Sequence, residues 1–156
     1  MALQLLAMSE TDFSEYLAKS VRNYATEKMK GETLTSEEAE KIAETSFATL
    51  LPDGISTKDH YLFNVVSTDD QMRIGILWFG LKHGATRSAF VYDIELESGH
   101  RGKGYGRETM RLLEEKARSL GCSKVALHVF GHNNVARSLY ENTGYRTTNV
   151  MMAKEL

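Results

Sequence analysis

Phe90-Val91-Tyr92-Asp93-Ile94-Glu95-Leu96 is followed by Glu97-Ser98-Gly99-His100 and then by Arg101-Gly102-Lys103-Gly104-Tyr105-Gly106. In the first piece Phe90, Tyr92, Ile94 and Leu96 alternate with Val91, Asp93 and Glu95, the period of two expected for a strand with one buried face. Beyond Gly106 the period lengthens. Tyr105, Thr109, Leu112, Leu113, Ala117 and Leu120 return every three or four residues, so a helix starts close to Gly104. The unit is a strand, a glycine-rich basic turn and a helix.

A helix start carries unpaired backbone N–H groups and the positive end of the macrodipole, and glycines let an anion approach the main chain. Arg101, Lys103 and Arg107 concentrate positive charge at that same end, where it opposes the dipole unless a negative ligand is bound. The bland alternative is a basic turn that only faces solvent. Other phosphate loops fit poorly. A Walker loop needs a lysine followed by a hydroxyl residue, which is missing here. A dinucleotide fingerprint read from Gly102 needs a glycine where Arg107 stands, and read from Gly104 it needs an acidic residue where Lys124 stands.

The spacing Arg101, Gly104, Gly106 resembles the Arg/Gln-x-x-Gly-x-Gly/Ala signature of the GNAT N-acetyltransferase superfamily. A second stretch, Asn133-Asn134-Val135-Ala136-Arg137-Ser138-Leu139-Tyr140-Glu141-Asn142-Thr143-Gly144-Tyr145, resembles the family's Asn-x-x-Ala-x-x-Leu-Tyr-x-x-x-Gly-Phe/Tyr segment. Two motifs in the expected order carry the resemblance from Phe90 to Tyr145.

The composition sets bounds. A chain of 156 residues is the size of one domain, spanning 1–156, and can bury a sizeable core. Hydrophobic content of 42% and charge of 26% are ordinary for a globular protein, and a net charge of −2 argues against nucleic acid as the main partner. No apolar run is long enough to span a bilayer, Leu3 to Met8 is too short for a signal-peptide core, and no basic residue precedes it. Cys122 is the single cysteine, so an internal disulfide is excluded and the reducing cytoplasm is the simplest compartment. No Cys/His spacing points to a metal.

Along the chain, Leu3 to Met8 reads as a strand, and Ser9 or Thr11 caps a helix that Gly31 stops. A second helix starts at Thr35 or Ser36 and ends at Leu51-Pro52-Asp53-Gly54. Tyr61 to Ser67, Arg73 to Leu81 and Arg87 to Leu96 form an antiparallel meander. Helix Gly104 to Leu120, strand Lys124 to Phe130, helix Asn133 to Asn142 and a final strand Tyr145 to Lys154 complete the list. The expected fold is α/β of the GNAT type: a mixed, mostly antiparallel sheet of about six strands with a parallel central pair, flanked by about four helices. The parallel pair follows from the crossover helix after Leu96. A terminal strand also offers an edge for a homodimer.

The resemblance implies an acetyl-CoA-dependent N-acetyltransferase acting on a primary amine of a small molecule or peptide by direct attack. It implies that the backbone of Arg101, Gly102, Lys103, Gly104, Tyr105 and Gly106 holds the pyrophosphate of acetyl-CoA. Main-chain groups of Ile94 and Leu96 would bind the pantetheine and acetyl carbonyl, Asn133 would contact the pantetheine, Ala136 would let it pass, and Tyr140 would serve as general acid. A core aromatic is the plainer reading of Tyr140, because it completes a helical stripe with Val135, Ala136 and Leu139.

Acyl transfer also needs a neutral amine, and an amine of pKa about 10.4 carries a deprotonation penalty of about 4–5 kcal/mol at pH 7. Asp93 and Glu95, on one face of the strand, are the candidates for a base acting directly or through water. Where some family members carry a glutamate, this chain has Tyr92. His128 and His132 flank the region and read as structural. The competing class is a catalytically silent acyl-CoA sensor or interaction module.

Overall fold

A computed structural model describes residues 2–156. Strand β1 (Leu3–Ala7) leads into helix α1 (Glu10–Gly31) and helix α2 (Ser36–Leu50). Strands β2 (His60–Ser67), β3 (Arg73–His83) and β4 (Arg87–Leu96) follow, then helix α3 (Tyr105–Ser119), strand β5 (Lys124–Leu127) and helix α4 (Asn134–Asn142). Sheet order equals chain order, β1 to β5, with antiparallel neighbours except for the parallel pair β4 and β5.

Helix α1 begins where Ser9 accepts from the Asp12 N–H and Asp12 accepts from the Ser9 N–H, a reciprocal cap worth about 1 kcal/mol. Thr35 caps α2 by accepting from the Glu38 N–H, while its own hydroxyl donates to the Glu38 carboxylate. Because successive strand residues face opposite sides, the sheet divides its apolar residues between two cores. Ile76, Trp78 and Leu62 meet Phe13 and Tyr16 of α1 on one face. Ile74, Leu77, Phe79, Phe63 and Val65 meet Met110, Leu113 and Ala117 of α3 on the other.

Two expectations are corrected. The single buried face of Phe90, Tyr92, Ile94 and Leu96 does not exist, because the β3–β4 register slips between Trp78 and Phe79, leaving Tyr92 as an extra residue. Phe90 and Tyr92 therefore stack with the Trp78 side, whereas Ile94 and Leu96 join Val91 on the α3 side. The final strand Tyr145 to Lys154 does not form, and the described sheet has five strands, not about six. Nothing in the chain's own sheet pairs with that segment, and strand β5 stops at Leu127, short of Phe130.

Candidate active site

The bulge sits where the sheet opens. Strands β4 and β5 pair only from Ser88–Lys124 to Val91–Leu127, and Tyr92 is the next residue of β4. A bulge bends its strand, so β4 turns away just as the pairing ends. The gap is a cavity of about 300 Å³ lined by Tyr92, Asp93 and Ile94 of β4, by Leu127 to Phe130 beyond β5, and by Asn133, Ala136 and Tyr140 of α4. The same bulge keeps Asp93 on the Trp78 face, directly across from that residue in the ladder.

Asp93 is half-buried, and its Oδ2 accepts a hydrogen bond of 2.7 Å from Tyr16 on α1. Burial pushes the carboxyl above the ordinary aspartate range, and Glu95 pushes the same way. The Tyr16 hydrogen bond, the Ile94 N–H and Lys19 oppose that shift. Tyr16 is raised far above a normal phenol, first by burial and then by the charge and hydrogen bond of Asp93. The phenol therefore stays protonated as the donor of this pair.

Tyr140 lines the same cavity, and its hydroxyl has no protein hydrogen-bond partner among the described residues. Burial raises its pKa first and the nearby Asp93 charge adds to it, so the phenol is a proton donor at neutral pH. Val135 leaves the helical stripe at 85% exposure, but Leu139 packs toward Gly106 at the start of α3 and Tyr140, partly buried, packs against the α3-side core beside Tyr145. Asn133 is the N-cap of α4. Its Oδ1 accepts from the Ala136 N–H at 3.2 Å, which leaves its NH₂ group available beside the cavity.

Glu95 lies apart from this group. It is exposed, outside the cavity lining, and 3.8 Å from the Arg101 guanidinium. Arg101 itself turns back to donate to the Leu96 carbonyl at 3.0 Å, so its side chain clamps the end of β4 to the turn. Gly104 caps α3 with φ 81°, and no side chain satisfies the first N–H groups of the helix. Gly102, also left-handed at φ 74°, stands in open space. Lys103 and Arg107 are exposed without ion-pair partners among the described residues. Gly106 has a packing reason as well, since a Cβ there would lie 3.0 Å from a Leu139 methyl. Tyr105 packs toward the α3-side core, with its ring 6.1 Å from His100.

Three contributions escaped the sequence reading. Tyr16 showed only an apolar helical period, and nothing local ties it to a residue 77 positions away. Tyr92 stacks on Trp78 at 4.8 Å and receives Lys82 Nζ on its hydroxyl at 2.9 Å, forming an aromatic wall beside Asp93. His60 extends that wall by accepting from Trp78 Nε1 at 3.0 Å, and burial keeps it below the usual histidine range. Among the described residues no helix is long and apolar enough to cross a membrane.

A cleft where the parallel strands β4 and β5 part, lined by a carboxylate and a phenol, and an uncapped helix start in the turn after β4 form an arrangement suited to acyl transfer. The pattern of the acetyltransferase (GNAT) family matches residues 20–145, and the chain belongs to that family. It is 38% identical to the uncharacterized N-acetyltransferase YycN of Bacillus subtilis (strain 168) over the whole of both chains. It is 36% identical to YdgE of the same organism, another uncharacterized N-acetyltransferase, over 100% of this chain and 99% of that one. The crystal structure of YycN superposes with a TM-score of 0.88 over 99% of each chain. A Pyrococcus furiosus protein shares the fold at a TM-score of 0.70 and 24% identity, over 99% of this chain and 100% of that one.

Proposed function

We propose that this acetyltransferase moves the acetyl group of acetyl-CoA onto a primary amine of a small molecule or peptide by direct attack. The observation that carries the reading is the shared cavity of Asp93 and Tyr140, one carboxylate from β4 and one phenol from α4 without a protein hydrogen-bond partner among the described residues. Acetyl-CoA supplies the acyl group as a thioester. The unsatisfied first turn of α3, with Gly102 and Gly104 in left-handed conformations, fits its pyrophosphate, and Lys103 and Arg107 add charge. Past Val91 the β4 edge toward β5 has no strand partner, which fits an amide-bearing arm laid along Ile94 and Leu96. Asn133 offers its NH₂ group to that arm, and Ala136 keeps the path narrow but open.

Asp93 takes a proton from the incoming ammonium, directly or through a water. The neutral nitrogen forms a bond to the carbonyl carbon, the carbon–sulfur bond breaks as the oxyanion collapses, the departing thiolate takes the Tyr140 proton, and the nitrogen gives up its remaining extra proton to the Tyr140 phenolate, directly or through water, to leave the amide. The raised pKa of Asp93 narrows its gap to an amine, as a base working near neutral pH requires. Glu95, exposed and turned toward Arg101, is the poorer base.

Release of free thiol from acetyl-CoA across a panel of polyamines, amino acids, aminoglycosides and peptide N-termini tests the reading. Amine-dependent release supports it. Calorimetric binding of acetyl-CoA without release for any amine would leave a sensor in its place, and absence of binding would remove both.

A further inference from the structure

The wall beside Asp93 carries hydrogen-bond donors for which acetyl transfer itself has no use. Phe90, Tyr92 and Asp93 line the cavity from the Trp78 face of the sheet, whereas Ile94, Leu96 and Tyr140 pack on the α3 side. With an acetyl-CoA arm along that second side, the amine enters from the first. Gly80 shapes the wall there. A Cβ on it would lie 2.9 Å from the Tyr92 ring and 3.1 Å from the His60 ring, so its absence lets those two rings meet at 5.4 Å. His60 Nδ1 accepts from Nε1 of the buried Trp78, which puts the histidine proton on Nε2. That nitrogen has no protein partner among the described residues.

Lys82 supplies a charge to the same wall. Its Nζ stands 2.9 Å from the Tyr92 hydroxyl and 5.9 Å from the centre of the Phe90 ring, which brings an ammonium to two residues that line the cavity. No carboxylate pairs with it among the described residues, and Asp59, the acid beside His60, is held by His83 at 2.9 Å. Burial and then the Lys82 charge keep His60 below the usual histidine range, against a smaller pull from Asp59. The ring is therefore neutral at pH 7. Because Tyr92 accepts from Lys82, its own hydroxyl proton is left for another acceptor. Together the three side chains present one positive charge and two neutral donors.

On the basis of the acetyl transfer proposed above, we infer that the acceptor is an ω-amino acid or a short peptide, whose carboxylate His60, Lys82 and Tyr92 hold several bonds from the amine that Asp93 deprotonates. A single positive charge balances a carboxylate and would leave a phosphate dianion half neutralised. Spacing sets the length of the acceptor. Asp93 stands opposite Trp78, and Lys82 is four residues farther along β3, about 13 Å between backbones, of which the lysine stem spans a part. An α-amino acid, with both groups on one carbon, does not bridge the remainder.

Thiol release tests this with two matched pairs, 6-aminohexanoate against its amide and triglycine against its C-terminal amide, in the wild type, Lys82→Met and Lys82→Glu. Methionine keeps most of the stem without the charge, glutamate reverses the charge, and thermal melts verify that both variants fold. In the wild type each acid is expected to show a KM about tenfold below that of its amide at similar kcat, the effect of one hydrogen bond between charged groups. The gap should close in Lys82→Met and invert in Lys82→Glu. Equal KM values for acid and amide, a gap that survives either change, or acetylation of other amines but of neither acid would overturn the inference and leave acetyl transfer standing. Calorimetry on the CoA-bound protein makes the same comparison without turnover. Tighter binding of the acids, lost in Lys82→Met, would uphold the carboxylate site even with no thiol released, and equal or absent binding of acid and amide in that case would overturn it.

Discussion

The Tyr16 hydroxyl donates to Asp93 Oδ2 at 2.7 Å, joining the first helix to the strand at the mouth of the cleft. This bond stabilises the charged carboxylate in a setting where burial penalises it. It thereby holds Asp93 in the form that accepts a proton. The charged and titratable groups that act on Asp93 are Tyr16 and Lys19 from α1, Glu95 along β4, and Tyr140 from α4.

The variant Tyr16→Phe removes that donor with little change of shape. The Asp93 pKa then rises further, and the acid limb of kcat/KM moves to higher pH. At neutral pH the loss is about tenfold, the size of one hydrogen bond to a charged group. Acetyl-CoA affinity is unchanged. A pH–rate profile identical to that of the wild type would remove Tyr16 from the mechanism.

Asp93→Asn separates function from stability. The native pKa of Asp93 lies above its unfolded value, so the ionised group weakens the fold at neutral pH, by about 1.4 kcal/mol for each unit of the rise. Asparagine still accepts from Tyr16 and carries no charge. The variant is expected to melt higher than the wild type at pH 7, while its turnover falls by about 10²–10⁴-fold. The stability gain shrinks as pH falls through the native pKa of Asp93 and vanishes below its unfolded value. Melting curves from pH 3 to 8 check this, and a gain that is constant across that range would contradict it.

Gly106→Val places side-chain atoms where Leu139 already sits. Overpacking of this kind costs about 1–3 kcal/mol and pushes α4 outward, together with the Asn133 and Tyr140 it carries. Denaturant unfolding should show the loss, and Leu139→Ala in the same chain should recover part of it. Additive losses in the double variant would mean that the two residues do not share this contact.

Much of this architecture was legible because its signals are local. The strand β4, the glycine turn and the period of α3 were read within a residue of their observed limits, and the Asn133 and Tyr140 motif fell on a helix as expected. What escaped depends on register. A one-residue slip opposite Trp78 and Phe79 leaves no mark in the alternation of β4, yet it decides which face Asp93 joins. The Tyr16 partnership escaped for the same reason, since helix packing sets it and sequence distance hides it. The segment after Tyr145 has the composition of a strand, yet no strand of the described sheet pairs with it.

The most direct measurement is single-turnover release of thiol from saturating acetyl-CoA with an active amine, comparing the wild type with Tyr140→Phe. Tyr140 lines the cavity and its hydroxyl has no protein hydrogen-bond partner among the described residues, so its removal should slow the chemical step by about 10²–10⁴-fold and leave the Kd for acetyl-CoA unchanged. Equal single-turnover rates in the two proteins would contradict the account.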